Sequence, residues 1–362
     1  MKITIVAGAR PNFMKIAPII HAIKGAQKDG KDIHFRLVHT GQHYDKKMSG
    51  DFFEELSIPE PDANLEAGGG TQAEQTAAIM VRFEQELLQN PTDLVLVVGD
   101  VTSTMACAIS ARKLHIEVAH VEAGIRSGDL SMPEEINRLV TDSITNYFFT
   151  TTESAGENLV KSGISQKSIF FVGNTMIDTL KAQESRFVKP SFWNTYNLEP
   201  DEYFVITLHR PSNVDNEFQL GELIAVMEQN ANELPVIFPV HPRTKDRLKS
   251  FGIKINNIKL VDPMSYLEFN YLVKHAKGVI TDSGGITEET TVMGVPCMTL
   301  RSTTERPETC TIGTNELLGT HPEALKAALK TLLSGSWKDG SIPPLWDGKA
   351  AERIVDVLLK LS

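Results

Sequence analysis

Leu94-Val-Leu-Val-Val98-Gly99-Asp100 decides the fold. An uninterrupted apolar, β-branched run of this kind is a strand buried on both faces, as in a parallel sheet, and it ends abruptly on a glycine and an acid. The pattern repeats outward from it. Val118-Ala-His-Val121 ends on Glu122, and Pro133-Glu134-Glu135 opens the helix that follows. Ligands of open α/β sheets bind outside the C-terminal strand ends, so these segments are expected to bring carboxylates to one crevice. A single acid there is ordinarily a solvated loop residue. Several together suggest proton transfer, because neighbouring like charges raise one another's pKa and let one carboxyl act as acid while another acts as base.

Short β-rich runs alternate with helical periodicity along the rest of the chain. Ile3–Ala7, Phe35–His39, Tyr147–Thr150 and Ile169–Val172 complete a first parallel, doubly wound sheet. Between Thr71 and Gln89 a helix is expected, its apolar face made by Ala73, Ala77, Met80, Val81, Leu87 and Leu88 with Glu84 as the one intruder. The aperiodic stretch 189–200, with Pro190 and Pro200, reads as a linker. A second set of strands then follows at Tyr203–Thr207, Val236–Pro239, Ile258–Val261, Gly278–Thr281 and Cys297–Leu300, with helices near Glu217–Asn230, Ser265–Lys274 and Thr287–Met293. The reading is α/β: two Rossmann-like domains, 1–188 and 200–348, with a cleft between them. A terminal helix, 349–362, is expected to pack back on the first domain.

The 362 residues are enough for two cores. The net charge of −10 and the lack of a basic block argue against a nucleic-acid partner. Cys107, Cys297 and Cys310 are too few and too scattered for a disulfide framework or a zinc site, which points to a reducing cytoplasm. The N-terminus has too short an apolar run for a signal peptide, and no stretch approaches the roughly 20 apolar residues of a membrane span.

An anionic ligand would need local basic groups and free backbone N–H groups, and both are present. Gly8-Ala-Arg10-Pro-Asn-Phe-Met-Lys15 turns from the first strand into a helix, where Arg10 and Lys15 could reach a diphosphate. The spaced glycines of a dinucleotide fingerprint are missing, so a nicotinamide cofactor is not indicated. Gly278-Val-Ile-Thr-Asp-Ser283-Gly284-Gly285 is a strand, a small-residue turn and a helix start suited to phosphate, and a glutamate one turn later, Glu288 or Glu289, suits ribose hydroxyls. His209-Arg210-Pro211 and His241-Pro242-Arg243 end successive strands, and either histidine could serve a departing phosphate. Arg306, in Thr303-Thr-Glu-Arg306-Pro-Glu308, is a further candidate for substrate contact.

Taken in order, Arg10-Pro11 with Lys15, Thr40-Gly-Gln42-His43, Gly99-Asp100, His120-Val-Glu122-Ala-Gly124, Pro133-Glu134-Glu135-Ile-Asn-Arg138, Gly173-Asn-Thr175, His209-Arg210, Asp282-Ser-Gly-Gly285 and Thr304-Glu-Arg-Pro-Glu308 resemble the non-hydrolysing UDP-N-acetylglucosamine 2-epimerases. The motifs span almost the whole chain. The resemblance implies a glycosyltransferase-B-like fold and inversion of C2 by elimination and readdition of UDP through 2-acetamidoglucal, with no cofactor and no metal. It implies Asp100, Glu122 and Glu134 as acid/base residues and His209 as the residue serving the departing diphosphate. Arg10, Lys15, Gln42, His43, Arg138, Arg210, His241, Ser283, Gly284, Gly285, Glu289 and Arg306 are implied as substrate-binding. It also implies a homodimer whose product feeds polysaccharide biosynthesis.

Two departures qualify this. Many bacterial members are activated by a second substrate molecule, contacted through the Gln-His turn; here that turn continues Tyr44-Asp45-Lys46 where those relatives carry Arg-Gln, and Gly68-Gly-Gly70 precedes the next helix. Such activation is therefore expected to be weak or absent. The same stretch also resembles epimerases of UDP-2,3-diacetamido-glucuronic acid, which leaves two candidate sugars. A UDP-sugar glycosyltransferase would share the fold but give the three acids no task; a hydrolysing epimerase would release free N-acetylmannosamine; a non-catalytic binding protein would be expected to have lost the carboxylates or His209.

Overall fold

A computed structural model of the chain describes residues 1–41, 53 and 55–361, with Arg10 described by its backbone. Two units result: Met1–Thr179 together with Pro344–Ser362, and Leu180–Pro343. In the first, the described strands are β1 (Lys2–Ala7), β2 (His34–His39), β3 (Ala63–Asn64), β4 (Leu94–Val98), β5 (Glu117–Val121), β6 (Tyr147–Thr150) and β7 (Ile169–Phe171). All pairs are parallel, in the order β3-β2-β1-β4-β5-β6-β7. The second unit holds β8 (Phe204–Thr207), β9 (Val236–Pro239), β10 (Ile258–Val261), β11 (Gly278–Thr281), β12 (Cys297–Thr299) and β13 (Asn315–Leu317), also parallel, ordered β10-β9-β8-β11-β12-β13. Each order reverses once, between β1 and β4 and between β8 and β11. Those are the switch points where neighbouring crossovers leave on opposite faces and open room at the strand ends.

The apolar runs explain this layering. All five residues of β4 are buried, clamped in register between β1 and β5. Helix Gln72–Gln89 is started by Thr71, whose hydroxyl accepts from Glu74 N while Glu74 accepts from Thr71 N. Its buried face differs from the expected one. Ile79, Phe83 and Leu87, an i, i+4, i+8 row, face the core, whereas Val81 and Leu88 are exposed.

Residues 189–200 also differ from expectation, because they are not a linker. Trp193 and Leu198 are buried in the second unit's core, with Trp193 edge-on to Tyr203 at 5.4 Å between ring centres. The chain returns to the first unit at Pro344. There Trp346 is fully buried and donates to Thr151 O at 3.0 Å. Asp178 accepts from Ala350 N and Ala351 N at the start of helix Ala350–Leu361 (3.1 and 2.7 Å), whose Ile354, Val355 and Leu358 are buried. No described helix is long and apolar enough to cross a membrane.

Candidate functional site

Lys15, Asp100, Glu122 and Arg138 lie at the first unit's strand ends, beside its switch point. Asn12, buried in the first turn of helix Arg10–Lys28, accepts from Gly8 N and Ala9 N (3.2 and 2.9 Å) and donates to Val98 O (3.1 Å), locking the turn after β1 to the end of β4. Gly99 follows with φ +69°, and a Cβ there would lie 3.1 Å from Lys15 Nζ. Glycine takes the left-handed backbone without strain and leaves room for the passing ammonium. Lys15 pairs with Glu122, which is buried and adopts φ +73°, a strained conformation for a glutamate. The strain is held by the carbonyl of Phe149, which accepts from Glu122 N and Ala123 N at 3.0 and 3.1 Å.

Asp100 pairs with Arg138 at 2.5 Å, and its carbonyl accepts from Asn137 Nδ2 at 2.8 Å. Arg138 is also bound by Glu135 at 2.8 Å. The adjacent acids Glu134 and Glu135 on helix Pro133–Ile144 thus separate. Glu135 is buried and accepts from Ser127 N, Ser127 Oγ and Gly128 N. Burial alone would raise its pKa, but these bonds and Arg138 hold it below the usual carboxylate value. Glu134, in the first turn of the same helix, is half-buried. Asp100, Glu122 and Glu135 are each paired with a cation, which the sequence reading of neighbouring like charges did not include.

The second unit is organised around Asp282, just past β11. Its carboxylate accepts from His209 N, Arg210 N and Asn213 Nδ2 and pairs with His209 Nδ1 at 2.7 Å. Burial pushes this carboxyl up, yet the bonds from His209, Arg210 and Asn213 outweigh it and bring the pKa down. His209 is thereby fixed at one nitrogen while its side chain stays 56% exposed. Ser283 gives helix Gly284–Met293 no side-chain cap, and a Cβ on Gly285 would meet nothing within 4 Å. Ser283 N donates to Thr281 Oγ1 at 3.0 Å, and the helix start behind it, without a side-chain cap and beside open space, has the form that suits an anion.

Behind this turn, Glu289 is buried against Tyr266, whose hydroxyl donates to it at 2.7 Å. Burial, with Glu288 nearby, pushes its pKa up to about 7. Arg306 is held by Glu288, and Arg301 grips Glu305 through two bonds of 2.6 and 2.8 Å. Glu305 is driven up by burial and further down by Arg301, to about 2. His241 caps helix Pro242–Ser250, accepting from Arg243 N at 3.3 Å, and is exposed.

Gln42 and His43, with Tyr44-Asp45-Lys46, lie outside the described residues, and Arg10 opens its helix at the switch point. Sequence reasoning missed Asn12 and Asn213 as organisers of the site, and read Glu135 only as one more acid of the cluster. Each is a polar residue within the first turns or on the inner face of a helix after a functional strand, and that placement was the available signal. Among the described residues no group of three or more His, Cys, Asp or Glu side chains is arranged to hold a metal ion.

The family model for UDP-N-acetylglucosamine 2-epimerase matches residues 26–359. The chain is 43% identical over 371 positions to the UDP-N-acetylglucosamine 2-epimerase of Methanocaldococcus jannaschii, with 99% of each covered. It is 38% identical over 366 positions to the UDP-2,3-diacetamido-2,3-dideoxy-D-glucuronate 2-epimerase of Pseudomonas aeruginosa, with 100% of each covered. The crystal structure of the M. jannaschii enzyme with UDP-GlcNAc and UDP matches with a TM-score of 0.87 at 42% identity, covering 99% of this chain and 100% of that one. The Neisseria meningitidis enzyme bound to UDP-GlcNAc matches with a TM-score of 0.88 at 28% identity and the same coverage. The two parallel-sheet α/β units are thus of the glycosyltransferase-B-like class. With matches that run from end to end, the chain belongs to the UDP-N-acetylglucosamine 2-epimerase family.

Proposed function

We propose that this protein interconverts UDP-N-acetylglucosamine and UDP-N-acetylmannosamine by inverting C2. The observation that carries the reading is the set of strand-end carboxylates, Asp100, Glu122 and Glu134, in a chain whose family match runs over nearly all of it. One carboxylate takes the C2 proton. The C–H electron pair forms a C1=C2 double bond as the C1–O bond breaks and its electrons leave with UDP, giving 2-acetamidoglucal. A second group then returns a proton to the opposite face of C2 while a diphosphate oxygen reattaches at C1. Positioned proton transfer of this kind contributes about 10²–10⁴-fold to a rate.

His209, oriented by Asp282, serves the departing diphosphate, with Arg210 beside it. Ser283, Gly284 and Gly285 hold phosphate oxygens, Glu289 the ribose, and His241 and Arg306 further parts of the substrate. Arg10, Lys15, Gln42, His43 and Arg138 bind the diphosphate or sugar. Lys15 and Arg138 also pair with Glu122 and Asp100 and so hold those carboxylates in place. Feeding UDP-N-acetylglucosamine, UDP-N-acetylmannosamine and the diacetamido-glucuronate nucleotide separately, and resolving products by NMR, tests this reading. One equilibrium mixture reached from the first two is expected; turnover of the third alone would transfer the same chemistry to that sugar, and free N-acetylmannosamine would mean hydrolysis.

We place the protein in the cytoplasm as a homodimer that supplies a polysaccharide precursor. Support comes from its three free cysteines and from Val81, Ile136 and Leu139, exposed on helices Gln72–Gln89 and Pro133–Ile144. A solution mass near twice 40.0 kDa is expected by light scattering, and one near 40.0 kDa would refute the dimer.

A further inference from the structure

His120 lies on β5 with no exposed surface. Its Nε2 is 2.8 Å from the carbonyl oxygen of Gly99, and its Nδ1 is 2.7 Å from Asp142 Oδ1. A carbonyl oxygen only accepts, so Nε2 carries hydrogen. A neutral ring would then aim its Nδ1 lone pair at a carboxylate oxygen, two acceptors facing each other in a dry core. Hydrogen must lie between them, and the pair holds two protons. The second oxygen of Asp142 says where they sit. Oδ2 accepts from Gly124 N at 3.1 Å and from Arg126 Nη1 at 2.6 Å, which is the environment of an ionised carboxylate. Although burial raises its pKa, His120 and Arg126 bring it below the ordinary value.

We propose that His120 and Asp142 form a buried imidazolium–carboxylate pair that positions the acid-bearing segments of the first unit. His120 stands two residues before Glu122 and grips the carbonyl of the residue before Asp100. Asp142 holds the Gly124 turn and the Arg126 loop, and belongs to the helix that carries Glu134 and Arg138. Three chain segments, contributed by β4, β5 and helix Pro133–Ile144, are thereby fixed to one ion pair. Gly124 permits this, since φ is +78° there and a Cβ would press to 2.2 Å from Ala155 O. Both His120 and Asp142 are positioning residues.

The role goes beyond the epimerase reading and, in its kinetic part, rests on it. Histidine-selective ¹⁵N NMR of the full-length protein, with the His120 signal assigned by its loss in His120→Gln, reads the protonation state with no substrate present. Both nitrogens are expected to be protonated at pH 7, with one strongly downfield proton; an unprotonated Nδ1 would overturn the pair. In Asp142→Asn, kcat is expected to fall about 10²-fold, as for misplaced catalytic groups, while KM and the Kd for UDP move less than about threefold. Unchanged kcat, or loss of UDP binding in parallel with kcat, would overturn the positioning role. Failure of all UDP-sugar turnover in wild type would refute the epimerase reading and leave the NMR result standing.

Discussion

The turns after β4 and β11 occupy the same place in their sheets, next to the point where strand order reverses, yet they use their acids in opposite ways. After β11, Asp282 is wholly buried and its oxygens are taken up by His209, Arg210 and Asn213, so the acid is scaffold and the histidine is what it presents. After β4, Asp100 keeps 24% of its side chain exposed against Arg138, and Glu122 beyond β5 holds a strained backbone beside Lys15. Asp100 is a carboxylate held by a cation with part of its surface open, whereas a carboxylate saturated by donors holds a loop still. The first turn is suited to moving protons and the second to receiving an anion.

Substitutions should separate the two roles. The largest effect is expected from Asp100→Asn, which should lower kcat by about 10³-fold or more while UDP affinity, measured by calorimetry, stays nearly constant. Near-normal turnover would remove Asp100 from the mechanism. Asp282→Asn should do the reverse, weakening UDP about tenfold or more because His209 and the Arg210 turn lose their anchor. It should also cost about 2 kcal/mol in denaturant unfolding for the lost charged hydrogen bonds, and retained UDP affinity would contradict the scaffold role.

Glu289 gives a pH test. Its folded-state pKa of about 7 lies above the model-peptide value of 4.5, so the folded protein binds a proton that the unfolded chain has released. The resulting stability is complete below about pH 4.5 and is lost as pH rises to about 7, by an amount of order 3 kcal/mol. Unfolding curves of wild type and Glu289→Gln should therefore diverge over that window, and parallel curves would show that the burial of Glu289 is not felt. The smallest expected effect concerns Tyr44-Asp45-Lys46 and Gly68-Gly-Gly70. Initial rates should be hyperbolic in UDP-N-acetylglucosamine, and a strongly sigmoidal curve would mean that activation by a second substrate molecule is retained.

The strands that carry the site were legible because fully apolar runs such as Leu94–Val98 leave little ambiguity, and the acids stand directly after them. Strands β3 and β13, of two and three residues, hold too few side chains to show a period. The face of helix Gln72–Gln89 was misread because Val81 and Leu88 are apolar yet exposed, and only packing distinguishes them from Ile79 and Phe83. Stretch 189–200 looked like a linker because it has prolines and no period, although Trp193 fills the second core. Within the site, residue types at strand ends were readable. Their partners were not, since Asn12–Val98, His120–Asp142 and Arg210–Asp282 each join residues far apart in sequence.

The central claim, proton exchange at C2 by strand-end carboxylates, is tested most directly by incubating the protein with UDP-N-acetylglucosamine in D2O and following the C2 proton by NMR. Deuterium should enter C2 as the mannose epimer grows, and the exchange should be lost in Asp100→Asn. Epimer forming with the original proton retained at C2, or no exchange with this substrate or the diacetamido-glucuronate nucleotide, would contradict the account.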